Sequence, residues 1–109
     1  MPASPSVAPV TDWYRRPDWD AEARADFERR LARARGQRSE YLRIKGHALQ
    51  SAGALDDAAD LYERFLVEHP DSISVSYVQE LLGVIARAQG RLDEAARRYR
   101  KLLTHRPLH

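Results

Sequence analysis

Apolar side chains recur along most of this chain at intervals of three and four, the spacing that lines them up on one side of an α-helix. Ala23, Phe27, Leu31 and Ala34 form the first such stripe. It predicts a helix over about 19–35, capped by Asp18 and ended near Gly36. Tyr41, Leu42, Ala48, Leu49 and Ala52 form the second, predicting a helix over about 40–51 with Ser39 as cap and Gly53 past its end. A third helix is predicted over 55–68. Asp56 and Asp57 stand in its first turn, where carboxylates meet the helix dipole favourably, and Pro70 stops it. A fourth is predicted near 74–89, ended by Gly90, and a fifth over about 92–104, stopped before Pro107. No segment sustains the period-two alternation of a strand. The expected fold class is therefore all-α, with five antiparallel helices. Residues 1–11, with Pro2, Pro5 and Pro9 among Ala and Ser, lack the apolar surface to order themselves and read as a disordered tail. Residues 12–17 hold Trp13 and Tyr14 and read as irregular but docked.

The helices repeat. Gly53, Leu55, Asp56, Ala58, Ala59, Tyr62, Leu66 and Pro70 reappear as Gly90, Leu92, Asp93, Ala95, Ala96, Tyr99, Leu103 and Pro107. One shift of 37 residues (90 minus 53) aligns them all, and a period of that size is the mark of a solenoid. Gly46 and Gly83 match in the same register. A glycine inside a helix costs about 1 kcal/mol relative to alanine, so a repeated one points to a close helix crossing. Ala58 and Ala95 are the small partners there, and Tyr62, Phe65, Tyr99 and Leu102 fill the space beside them.

Gly46, Gly53, Ala58, Tyr62 and Pro70 at these intervals resemble the tetratricopeptide repeat, and Gly83, Gly90, Ala95, Tyr99 and Pro107 match the pattern again. The aromatic expected near the start of the first helix of each repeat is Leu42 in one copy and Gln79 in the other. The family period is about 34, so three extra residues are placed between Pro70 and Tyr77. The first helix resembles a worn half-repeat, since Ala23, Phe27 and Leu31 precede Ala58, Tyr62 and Leu66 by a constant interval. The resemblance implies a right-handed α-α superhelix. Its expected units are an irregular segment (1–17), an N-terminal helix (18–36) that caps one end with Trp13 and Trp19, one repeat (39–72) and a second (73–109). The far end lacks a polar capping helix. Further repeats after His109, self-association or a docked partner are the expected covers, the first favoured. Arg98, standing where the first copy has Leu61, reads as an adaptation of that open end.

Composition narrows the function classes. The chain has no cysteine and a net charge of +2. Disulfides and thiolate metal sites are excluded, which suits a reducing cytoplasm. No run approaches the roughly 18 apolar residues of a membrane span. Charge is striped: 24–45 is basic, 54–80 acidic and 87–106 basic again. Arg29, Arg30, Arg33, Arg97, Arg98, Arg100 and Lys101 are candidate phosphate contacts, yet no aromatics interleave with them as in RNA-binding platforms. No nucleophile elbow, phosphate loop or zinc-protease spacing occurs, so no enzyme activity, catalytic residue, cofactor or metal is expected.

What the resemblance implies is binding. In that family one side of the first helix of each repeat lines a groove that holds peptides or other proteins. The matching positions are Glu40, Arg43, Ile44, His47, Gln50 and Ser51, then Tyr77, Glu80, Leu81, Val84, Arg87 and Ala88. His47 and Leu81 replace the asparagines of a carboxylate clamp, so that clamp is not expected. Tyr77, Leu81, Val84 and Ala88 form a second apolar stripe on a helix whose other side, Val78, Leu82, Ile85 and Ala86, faces inward. A helix apolar on both sides is normally buried on both. The N-terminal segment, further repeats or a partner helix would cover it, with Arg43, Glu80 and Arg87 as a polar rim. The expected function is a protein–protein scaffold or adaptor binding through Arg43, His47, Tyr77, Glu80, Leu81, Val84 and Arg87. The alternatives are self-assembly through the open end or weak nucleic-acid binding on the arginine-rich faces.

Overall fold

The computed structural model describes residues 13–104, and within them the chain is five helices and no strand. These are α1 (Ala21–Arg33), α2 (Arg38–Ser51), α3 (Leu55–Glu68), α4 (Val75–Ala88) and α5 (Leu92–Thr104). The expected tail, Asp12, His105 and Pro107 lie outside the described residues. α3 runs over the predicted residues. α1 is shorter than predicted at both ends, because Asp20 rather than Asp18 is the cap: its Oδ1 accepts from the Ala23 N–H at 2.8 Å. α2 starts earlier than predicted, at Arg38, and Ser39 caps nothing. Arg38 draws the start forward by donating to the Leu31 carbonyl at 3.1 Å and to Glu68. α4 is one residue shorter at each end than predicted. The three extra residues of the period fall in the connection from α3 to α4, where Ser72 N–H donates to the His69 carbonyl and Val75 N–H to that of Ser72.

Two glycines close the first helix of each pair. Gly53 and Gly90 have φ of 86° and 80°, a conformation that costs other L-residues about 1–2 kcal/mol. The next N–H in each case reaches back into the helix, Ala54 to Leu49 at 2.9 Å and Arg91 to Ala86 at 2.8 Å. These satisfy orphan carbonyls and turn the chain sharply. α2 therefore folds back on α3, and α4 on α5.

Within each pair the helices cross at the other glycine. A Cβ added at Gly46 would stand 2.6 Å from Cε1 of Tyr62, and one at Gly83 2.7 Å from Cε1 of Tyr99. The ring of the second helix thus occupies the volume that a side chain on the first would need. Ala58 and Ala95 are both buried, and the duplicated residues make duplicated crossings. Tyr62 is fully buried, and its hydroxyl donates to Gln50 Oε1 at 2.7 Å. Leu42, Leu49, Leu61, Phe65, Val78, Leu82 and Ile85 complete a core continuous across the pairs, with Phe27 and Leu31 of α1 at its N-terminal end.

Polar networks join consecutive helices. Arg64 of α3 binds Glu28 of α1 with both terminal nitrogens, at 2.7 and 3.0 Å, and Glu68 with Nε. Glu68 also takes Arg38 of α2 at 2.8 Å. Arg38 and, next, Arg64 hold the Glu68 carboxyl below its ordinary value, against the opposing effect of burial. Arg98 of α5 meets Glu63 of α3, Gln79 of α4 and Glu94. Its side chain is only 13% exposed. Arg98 is therefore an inter-unit tie and not, as its place in the sequence suggests, a solvent-facing adaptation of the open end. The carboxylates converging on it make burial tolerable.

Gly46→Ala improves helix propensity by about 1 kcal/mol yet is expected to destabilise the protein by about 1–3 kcal/mol through overpacking. Gly83→Ala is expected to cost less, because Tyr99 is only half-buried and has room to yield. Urea melts of the two variants check the order; equal or stabilising effects would contradict it.

Candidate functional groove

The groove-side residues of α2 and α4 separate into two regions. Arg43 of α2 and Tyr77 of α4 both act electrostatically on the hydroxyl of Tyr62. Burial raises the Tyr62 phenol well above its ordinary value, Tyr77 adds to the rise, and Arg43 opposes it. Gln50, expected to face the groove, instead turns its carbonyl to Tyr62. Beyond this point α4 presents Tyr77, Leu81 and Val84. Tyr77 is 44% and Val84 42% exposed, Leu81 half-buried against the core. Glu80 and Arg87 are exposed beside them. Among the described residues nothing covers this stripe.

His47 lies apart from that group. It is exposed and borders a recess of about 550 Å³ formed with Ile44, Ala48 and Ser51 of α2, its C-cap Ala52, and Arg15 and Pro17. The last two belong to an irregular segment, residues 13–19, that begins with a turn and straps the outside of α1 and α2. Trp13 packs on Phe27 and Tyr41 with ring centroids 5.3 and 4.9 Å apart, and Trp19 on Phe27 at 5.5 Å. The described part of the N-terminal segment docks on α1 and α2 and not on the α4 stripe.

Sequence reasoning missed what holds the strap. Lys45 is 2% exposed. Its ammonium donates to the backbone carbonyls of Arg16 and Asp18, the latter at 3.0 Å. It also sits over the ring of Trp19, 5.4 Å from the centroid, where the ring face attracts a cation. Burial pushes this ammonium below its ordinary value, and the Asp18 carboxylate acts against that shift. The signal was in the repeat register: Lys45 stands where the second copy has Leu82, a buried core residue.

The duplicated crossings and the glycine-ended hairpins decide the relationship. The family model of the tetratricopeptide repeat matches residues 30–72 and 77–109. The chain belongs to the tetratricopeptide repeat family. Its helices are accordingly those of a tetratricopeptide solenoid, a family whose repeats generally mediate protein–protein interactions. No curated protein and no solved structure matches the chain. Among the described residues of this tetratricopeptide protein, no cluster of His, Asp or Glu is arranged to hold a metal ion. No described helix is long and apolar enough to cross a membrane.

Removing the Lys45 ammonium leaves two carbonyls of the strap without their donor, which costs about 1–3 kcal/mol. Trp13 and Trp19 are the only tryptophans and both lie on the strap. Lys45→Ala is therefore expected to shift tryptophan emission to the red while far-ultraviolet circular dichroism keeps its helical form. Unchanged emission would show that the strap is held without the lysine.

Proposed function

We propose that this chain is a cytoplasmic scaffold that holds a peptide or helix of a partner protein along the groove side of α2 and α4. It performs no chemistry of its own. The observation that carries the reading is the exposed stripe of α4: Tyr77 and Val84 stand open on a helix whose opposite side is fully buried. Isolated exposed apolar residues are ordinary, but a row of them along one helix marks an interaction surface. Tyr77, Leu81 and Val84 supply the apolar anchor, and Arg43, Glu80 and Arg87 the polar rim that fixes register. His47 serves the neighbouring recess beside the strap. The unit boundaries that go with this reading are 39–72 and 73–109, each presenting one groove helix.

Nucleic acid is the weaker reading on charge. Arg29 and Arg30, both candidates for phosphate contacts, are paired with Asp26 at 3.2 and 2.9 Å. Arg98 is taken by Glu63 and Glu94. These pairs leave less cationic surface to release counterions from a backbone.

Capture from the source cytosol tests the groove. The wild-type chain is expected to retain a protein partner that Leu81→Asp and Val84→Asp both lose. Val84 is exposed, so its substitution should change stability by no more than about 0.5 kcal/mol. Circular dichroism of the variants provides the control. Loss of helicity along with binding would assign the stripe to the core and contradict the proposal.

A further inference from the structure

Turned end for end, the groove stripe of α4 fits itself. Tyr77, Leu81, Val84 and Ala88 follow one another at steps of four, three and four residues, a spacing that reads the same in both directions. It is also the spacing of the seam between two coiled helices. Laid antiparallel on a second α4 (Val75–Ala88), the stripe sets Tyr77 opposite Ala88 and Leu81 opposite Val84. The large ring meets the smallest side chain, and two aliphatic side chains of similar size meet each other. A parallel pair would set ring on ring and methyl on methyl. In the antiparallel pair a twofold axis relates the copies, so every contact occurs twice.

The flank of the stripe is self-complementary in charge. Glu80 and Arg87 stand seven residues apart, on one side of the helix, next to Leu81 and Ala88. Both are exposed, and neither forms an ion pair among the described residues. With Leu81 level with Val84 of the second copy, Arg87 is level with Val78 of that copy, two residues and about 3 Å along the axis from its Glu80. Like charges lie farther apart, since each Glu80 is level with Ile85, five residues from the other Glu80. The apolar stripe alone would admit any amphipathic helix. The flank asks for one that carries an anion and a cation seven residues apart beside its seam, and α4 is such a helix.

This side of a repeat stays open when another unit follows. The positions on α2 that match Tyr77, Val84 and Ala88 are Glu40, His47 and Ser51. All three are exposed, although a complete hairpin, α4 and α5, comes after that unit.

We infer, on the reading of the α4 stripe as an interaction surface, that its occupant is α4 of a second copy of this chain, packed antiparallel about a twofold axis. Tyr77, Leu81, Val84 and Ala88 supply the apolar contact, and Glu80 and Arg87 of each copy fix the direction and register of the other. The patch is small, which makes the dimer a weak one that forms at high concentration.

Sedimentation velocity of the 109-residue chain tests it. Between about 10 µM and about 1 mM the wild type is expected to pass from monomer to dimer by mass action. Val84→Asp should hold it monomeric with unchanged circular dichroism. Glu80→Arg and Arg87→Glu should each weaken the dimer about tenfold at low salt, because each turns two attractive contacts into repulsive ones. Glutamate and arginine have similar helix propensity, so both variants should fold. An equimolar mixture of the two should recover the dimer, since one chain then carries only cations on the flank and the other only carboxylates. The double variant should recover it as well. A wild type that stays monomeric at the highest concentration, a dimer that survives Val84→Asp, or a mixture that associates no better than either variant alone overturns the proposal. A monomeric wild type that still captures another protein through Val84 would overturn the second copy and leave the groove reading standing. Loss of helicity in Val84→Asp would overturn both.

Discussion

The architecture depends on two points where a tyrosine ring lies in the space a side chain would fill. Gly46 lets Tyr62 reach the α2 backbone, and Gly83 does the same for Tyr99 on α4. A helix glycine is unfavourable locally, and the chain carries one in each copy because the ring cannot approach otherwise. That approach sets the distance between the two helices of a hairpin. The hairpin geometry in turn decides which side of α2 and α4 faces the groove. With Gly53 and Gly90 reversing the chain at nearly the same φ, the two hairpins are near copies and stack in register.

Where the copies differ, function enters. Core position 82 is leucine in one copy and Lys45 in the other, and the lysine uses its charge to fasten a strap of backbone carbonyls over a cage of aromatic rings. Position 61 is leucine in one copy and Arg98 in the other, and the arginine collects carboxylates from its neighbours. Each departure buries a cation at a junction between units, where partners on adjacent elements compensate its desolvation. Among the described residues the strap covers α1 and α2, while Tyr77 and Val84 on the groove side of α4 are exposed.

Much of this was legible in the sequence, for identifiable reasons. The helix number, the bounds of α3 and the crossings at Gly46 and Gly83 follow from local periodicity and a direct internal repeat, and neither needs knowledge of long-range contacts. The caps were less legible. Asp18 and Asp20 are equivalent candidates by pattern, and the choice falls to Asp20 because Asp18 lies on the strap, its carbonyl held by Lys45. Lys45 and Arg98 were illegible as buried groups, since each requires partners distant in the chain: Arg16 and Asp18 for one, Glu63 and Gln79 for the other. Tyr77, Leu81 and Val84 stood out by helical periodicity, whereas Arg43, His47, Glu80 and Arg87 stood out only through the family resemblance. The structure sets His47 beside the strap, apart from the exposed stripe of α4, a division that sequence spacing does not carry.

The interlock of glycine and ring is open to direct observation by nuclear Overhauser spectroscopy on the labelled protein. The account predicts cross-peaks from the Gly46 α-protons to the Tyr62 ring and from the Gly83 α-protons to the Tyr99 ring, the first set the stronger because Tyr62 is the more firmly held. A folded, helical protein that shows neither set would contradict the crossing geometry, and with it the placement of the groove.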